Sequence, residues 1–188
     1  MRSRRGFVAA AVFLLALPVA ALCQLVVGSG AEPAMHFMLA LGAGLLTVAL
    51  TDFRAARLAT WLGRLSLGAL ATIFLIQGVA QTTNSARLSH IAFQALGQRV
   101  EGWLVAGFLL WCVALLIADS RGKTRFLGVG AVALTAAVRA YDFVLAQQGA
   151  SMDAATPGLK LIYLSPFVWL LFESRKTLTL QRREPPTR

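Results

Sequence analysis

Residues 126–147 read FLGVGAVALTAAVRAYDFVLAQ. A helix crosses the hydrocarbon core of a bilayer with about 20 predominantly apolar residues, and this run has that length. It also carries Arg139 and Asp142 inside its apolar sequence. A charge at the centre of a membrane helix costs about 2.5–3.5 kcal/mol on insertion scales, so such residues mark candidate functional sites. At spacing i, i+3 the two share a helix face and can pair.

Composition extends the membrane reading to the whole chain. The 188 residues are 57% apolar and only 14% charged, with mean hydropathy +0.69. Soluble domains average about 45–50% apolar and about 25% charged, so both departures indicate an integral membrane protein of one domain. The net charge of +10 does not point to nucleic acid. The positive residues flank apolar runs instead of gathering on a soluble face, which suits topology signals and contacts with anionic lipid. Cys23 and Cys112 both lie in apolar runs, with no CxxC, so neither a disulfide framework nor a zinc pattern is present.

Outward from 126–147, further apolar runs cover residues 101–118, 58–80, 34–51 and 6–27 upstream and 158–174 downstream. The expected fold is all-α: a polytopic transmembrane bundle of six spans over residues 1–175. The basic start followed by the run at 6–27 has the layout of a secretory signal. Signal cores are about 7–15 residues, however, and this run is longer, so it reads as a retained first span. Leu22 stands before Cys23 where a lipidation site wants a small residue. Pro18 is expected to kink this span. In the second, Gly42, Ala43 and Gly44 suit close helix approach.

Residues 86–99 are amphipathic. Leu88, Ile91, Ala92, Ala95 and Leu96 share one face, and His90, Gln94, Gln98 and Glu101 the other. Either an interfacial helix precedes a short span, or one helix over 88–118 extends about 46 Å. Gly97 and Gly102 permit a bend. The basic segment 176–188, with Pro185 and Pro186, is expected to be a disordered tail.

Lysine and arginine set the orientation. One side holds Arg2, Arg4, Arg5, Arg54, Arg57, Arg64, Arg121, Lys123, Arg125, Arg175, Lys176, Arg182, Arg183 and Arg188; the other holds only Arg87, Arg99 and Lys160. By the positive-inside rule both termini are expected in the cytoplasm, with the chain in the plasma (inner) membrane.

That threading places Arg139 about 20 Å from the cytoplasmic start of its span, with Asp142 one turn further out. His36, Gln77, Gln81, His90, Gln94, Glu101, Tyr163 and Ser165 fall at similar outer depths. The expectation is an outer-leaflet polar cavity lined by Arg139, Asp142, His36, His90, Gln77, Gln94, Glu101 and Tyr163. It would receive a small molecule, a lipid headgroup or a membrane-protein partner, without enzymatic chemistry, cofactor or metal. Simpler readings exist: a structural Arg139–Asp142 pair, and a solvated helix face for the His90 row. A membrane enzyme or redox protein would have to use His36, His90, Asp142 and Glu101. Two imidazoles can clamp a b-type haem. Catalytic zinc usually takes three protein ligands. No HExxH, GxSxG, P-loop or dinucleotide glycine pattern occurs. A small transporter with Arg139 and Asp142 on its route is a third reading.

Overall fold

The computed structural model describes residues 2–27, 32–53, 55–88, 90, 98–149 and 159–183, and among them every regular element is helical. The longer α-helices among the described residues are, in order, α1 (Arg2–Val27), α2 (Glu32–Ala49), α3 (Arg57–Thr83), α4 (Gln98–Ala118), α5 (Lys123–Gln147) and α6 (Ser165–Arg183). Short 3-10 segments extend the end of α2 (Leu50–Asp52) and precede α6 (Leu159–Leu164). Among the described residues, three stretches are long and apolar enough to cross a membrane: Pro33–Asp52, Arg57–Thr83 and Lys123–Gln147. Gly102–Ala118 is a shorter apolar helix.

Local chemistry explains the ends. α3 stops at Asn84, which takes the left-handed conformation at φ 48° and returns its backbone N–H to the Ala80 carbonyl. Asparagine tolerates that conformation better than most residues with a side chain. Gly122 begins α5 from φ 65°, a conformation that glycine adopts without steric cost. Pro166, read from sequence as lying inside a span, occupies the first turn of α6, where the missing N–H would have no helical partner. α6 continues to Arg183, well into the segment expected to be a disordered tail; nothing in TLTLQRR breaks a helix before Pro185. Residues 86–88 and 90 are helical, and most of the remaining amphipathic stretch lies outside the described residues.

Each helix packs on its neighbour in sequence, and α1 packs on α6, so the bundle closes into a ring. Close approaches fix alternating directions. Gly78 of α3 lies against Phe37 of α2, whereas Gly63 lies against Leu50 beyond the other end of α2. Gly63 also meets Trp111 of α4, and Gly107 meets Ser66. Gly102 meets Arg139 of α5, and Gly128 of α5 meets Leu116. Phe13 stacks on Phe167, and Gly6 lies against Ser174, which sets α1 antiparallel to α6. The N-terminus of α1, the α2–α3 turn, the α4–α5 turn and the C-terminus of α6 therefore gather at one end.

The interior is a column of rings. Phe13 and Phe167 stack at 3.9 Å between centroids, Phe167 and Phe108 at 5.4 Å, and Phe108 and Trp111 at 5.9 Å; Phe53 then meets Trp111 edge-on at 5.6 Å. Trp111, Trp169, Leu46, Leu50, Leu115 and Leu170 are fully enclosed around this column. The outside is as apolar as the inside. Val8, Leu15 and Leu22 of α1, Trp103, Leu110 and Ile117 of α4, and Val168 and Phe172 of α6 are exposed, as are similar rows on α2, α3 and α5. Water would penalise such a continuous surface, whereas lipid would not.

The small-residue run of α2 is used unequally. A Cβ on Gly42 would lie 3.0 Å from backbone atoms of Phe13, while one on Gly44 would meet nothing within 4 Å. Gly42→Ala should therefore force α1 and α2 apart and destabilise the protein by about 1–3 kcal/mol, the usual range for overpacking. Gly44→Ala should be neutral or slightly stabilising, because alanine is the better helix former. Thermal unfolding of both variants in detergent measures the difference; equal effects would refute the close-approach assignment.

Candidate functional site

A cavity of about 290 Å³ occupies the centre of the ring, and every helix contributes to its wall. Phe13, Phe108 and Phe167 of the aromatic column border it, with Met35 and Leu39 of α2 and Leu67, Leu70 and Phe74 of α3. Leu161, Tyr163 and Leu164 come from the 3-10 segment before α6, and Thr135 and Arg139 from α5. The lining is overwhelmingly apolar, which departs from the polar cavity expected from sequence. Arg139 is the charged residue among the described lining.

Arg139 is held from two directions. Its Nη1 donates to Asp142 Oδ2 at 2.7 Å, with the two side chains only 19% and 11% exposed. Its Nη2 lies against Gly102 of α4, close enough that a Cβ there would sit 2.7 Å away. The i, i+3 spacing supplies the first contact and the absence of a side chain at Gly102 permits the second. A carboxylate beside the guanidinium offsets much of the cost of holding a charge in apolar surroundings. The pair is thus anchored in the wall, with the cation on the cavity side.

A second polar group lies lower in the same wall. Thr135 is buried, and its Oγ1 lies 2.8 Å from the Ala131 carbonyl, 3.2 Å from Ser165 Oγ and 3.5 Å from the Ile162 carbonyl. Ser165 Oγ also reaches the Ala131 carbonyl, at 3.2 Å. These hydroxyls fasten α5 to the point where the 3-10 segment becomes α6. Tyr163, on that segment, packs against Val138 and Leu145, the residues flanking Arg139 and Asp142 on the same face of α5.

The structure brings together only part of the expected set. Arg139 and Tyr163 line the cavity, and Asp142 pairs with Arg139 behind the wall. His36 and Gln77 are half-buried on α2 and α3, and neither belongs to the described lining. His90 is exposed. Gln94 and the side chain of Glu101 lie outside what the structure describes. Among the described residues no three His, Cys, Asp or Glu side chains are grouped to hold a metal ion. The seat that Gly102, read from sequence as a possible bend, gives Arg139 escaped sequence reasoning, as did Thr135. A glycine in an apolar run carries no mark of the side chain seated on it, and a threonine in a span most often bonds only its own helix.

The cost of leaving either charge alone gives a test. Asp142→Leu should destabilise the protein by about 3 kcal/mol, because Arg139 would remain enclosed without its carboxylate. Arg139→Met combined with Asp142→Leu should recover most of that loss. A double-mutant cycle on detergent unfolding measures the coupling, and additive losses would show that the pair does not act as a unit. No family model, curated protein or solved structure matches this chain.

Proposed function

We propose that the protein is a six-span, non-enzymatic receptor of the plasma (inner) membrane. Its central cavity would receive one small amphiphilic molecule from the outer leaflet. The observation that carries the proposal is a partly open cavity of about 290 Å³ with an apolar lining and a carboxylate-anchored guanidinium in its wall. Small-molecule sites are mostly apolar with few convergent polar groups, and this volume lies at the small end of their range of about 300–1,000 Å³. The apolar part of a ligand would lie against Phe108, Phe167 and Leu70. Its acceptor group would face Arg139 and Tyr163.

Six crossings are supported by more than run length. α1, α4 and α6 close the same ring as the three candidate spans Pro33–Asp52, Arg57–Thr83 and Lys123–Gln147 and carry apolar residues on their outer faces, as those do. The alternating helix directions gather Arg4, Arg5, Arg57, Arg64, Arg121, Lys123, Arg125 and Arg175 at one end. Such a bias supports cytoplasmic termini.

Two measurements test this reading. In a background lacking Cys23 and Cys112, cysteine at Gln148 should react with an impermeant thiol reagent on intact cells, and cysteine at Lys123 only after permeabilisation. Both positions are exposed. The reverse pattern refutes the orientation. For the cavity, native mass spectrometry of the purified chain should find one retained amphiphile. Leu70→Trp, which fills the cavity, and Arg139→Met should each reduce its occupancy by about tenfold or more. Unchanged occupancy in both variants rejects the site.

A further inference from the structure

A second pocket opens where the chain turns from α2 into α3, its Arg64 one turn of α3 before the cavity residue Leu67. Its volume is about 260 Å³, and Arg57, Thr60, Trp61 and Arg64 form one side of it, with Thr51 and Phe53 across the turn. The first four recur at i, i+3, i+4 and i+7, so they make a single stripe on the first two turns of α3. Arg64 lies with its guanidinium carbon 5.3 Å from the centroid of the Trp61 ring. Its Nε is buried and meets no acceptor among the described residues. Arg57 is exposed. Neither arginine is in an ion pair among the described residues, although Asp52 stands in the same turn.

Two cations facing one pocket without counter-ions repel each other, and an anion between them removes that penalty. The start of α3 adds to the demand. Ala56 is its N-cap and supplies no side-chain acceptor, so the first-turn amides also favour an anion there. The two threonine hydroxyls donate to the carbonyls of Val48 and Ala56, which leaves the arginines and the Trp61 indole N–H as the side-chain donors. The flank of the pocket is apolar: Leu58, Trp61 and Leu65 are 74%, 61% and 64% exposed. A free phosphate has no use for that flank, whereas acyl chains would lie along it.

We propose that this pocket binds the phosphate of an anionic membrane phospholipid, held by Arg57 and Arg64, with the acyl chains on Leu58, Trp61 and Leu65. Guanidinium suits this task because its planar donors match phosphate oxygens in pairs. The site is separate from the central cavity, and the Arg57 and Arg64 variants, which leave Arg139 in place, distinguish its occupancy from that of the cavity.

The full chain, delipidated in detergent, would be titrated with phosphatidylglycerol, with phosphatidylcholine and with inorganic phosphate while thermal unfolding is followed. Phosphatidylglycerol should raise the unfolding temperature of the wild type, and the other two probes should do so far less. Arg57→Gln, at an exposed position that does not threaten folding, should weaken the apparent affinity about tenfold, the loss of one charge-assisted contact. Adding Arg64→Gln should abolish the response, and Arg57→Lys with Arg64→Lys should restore only part of it. Lys123→Gln with Arg125→Gln, on the other basic turn at the same end, should leave the response intact. Retention of the full response in the Arg57→Gln, Arg64→Gln variant overturns the proposal, as does an equal loss in the Lys123→Gln, Arg125→Gln control. An equal shift from inorganic phosphate overturns the assignment to lipid.

Discussion

The stack of Phe13 on Phe167 closes the molecule. Five of the six helix–helix contacts in the ring join consecutive elements, and short connections would favour most of these anyway. The contact between α1 and α6 joins opposite ends of the chain and has no such help. It rests on two nearly parallel rings, continued through Phe108 to Trp111. Helices in lipid gain little from apolar burial as such, because lipid tails are equally apolar. Close packing has to hold them together. Flat rings in contact provide a large area of it, and Gly6, Gly42 and Gly128 let neighbouring backbones and rings come close around them.

The same column determines where the empty space can be. Toward the Trp111 end the rings, with Leu50, Leu115 and Trp169, leave the interior filled. Beyond Phe108 and Phe167 the cavity begins, bordered by Leu39, Leu70, Phe74 and Arg139. Arg139 borders that space because Asp142 and Gly102 hold it from behind. A charge fixed in this way costs no reorganisation when it meets a ligand, a benefit that a mobile surface arginine would lack.

Much of the helical layout was readable from run length alone. The expected spans at 34–51, 58–80 and 126–147 correspond to Pro33–Asp52, Arg57–Thr83 and Lys123–Gln147 within a few residues. The pairing of Arg139 with Asp142 was equally legible, since it follows from spacing on one helix. The membership of the cavity was not. Depth advances by about 1.5 Å per residue and can be counted, but each residue also turns about 100° around the axis. Which way a helix faces depends on its packing partners. His36 and Gln77 share a depth with Arg139 in that count and still do not reach the described cavity wall. The polar lining inferred from depth therefore gave way to an apolar one, because Leu39, Leu70 and Phe74 take the inward positions.

The 3-10 segment Leu159–Leu164 lengthens the approach to the last helix. A 3-10 turn rises about 2.0 Å per residue against 1.5 Å in an α-helix, so these six residues cover about 12 Å where an α-helix would cover about 9 Å. Rewinding them as α-helix would draw Leu159 inward by about 3 Å. It would also rotate Leu161 and Tyr163 around the axis, and both are wall residues. Thr135 ties the segment to α5 through the Ile162 carbonyl and Ser165, and Leu159, Ile162 and Tyr163 pack against Val138 and Leu145. The pitch of one short turn thus sets where two wall residues of the cavity face.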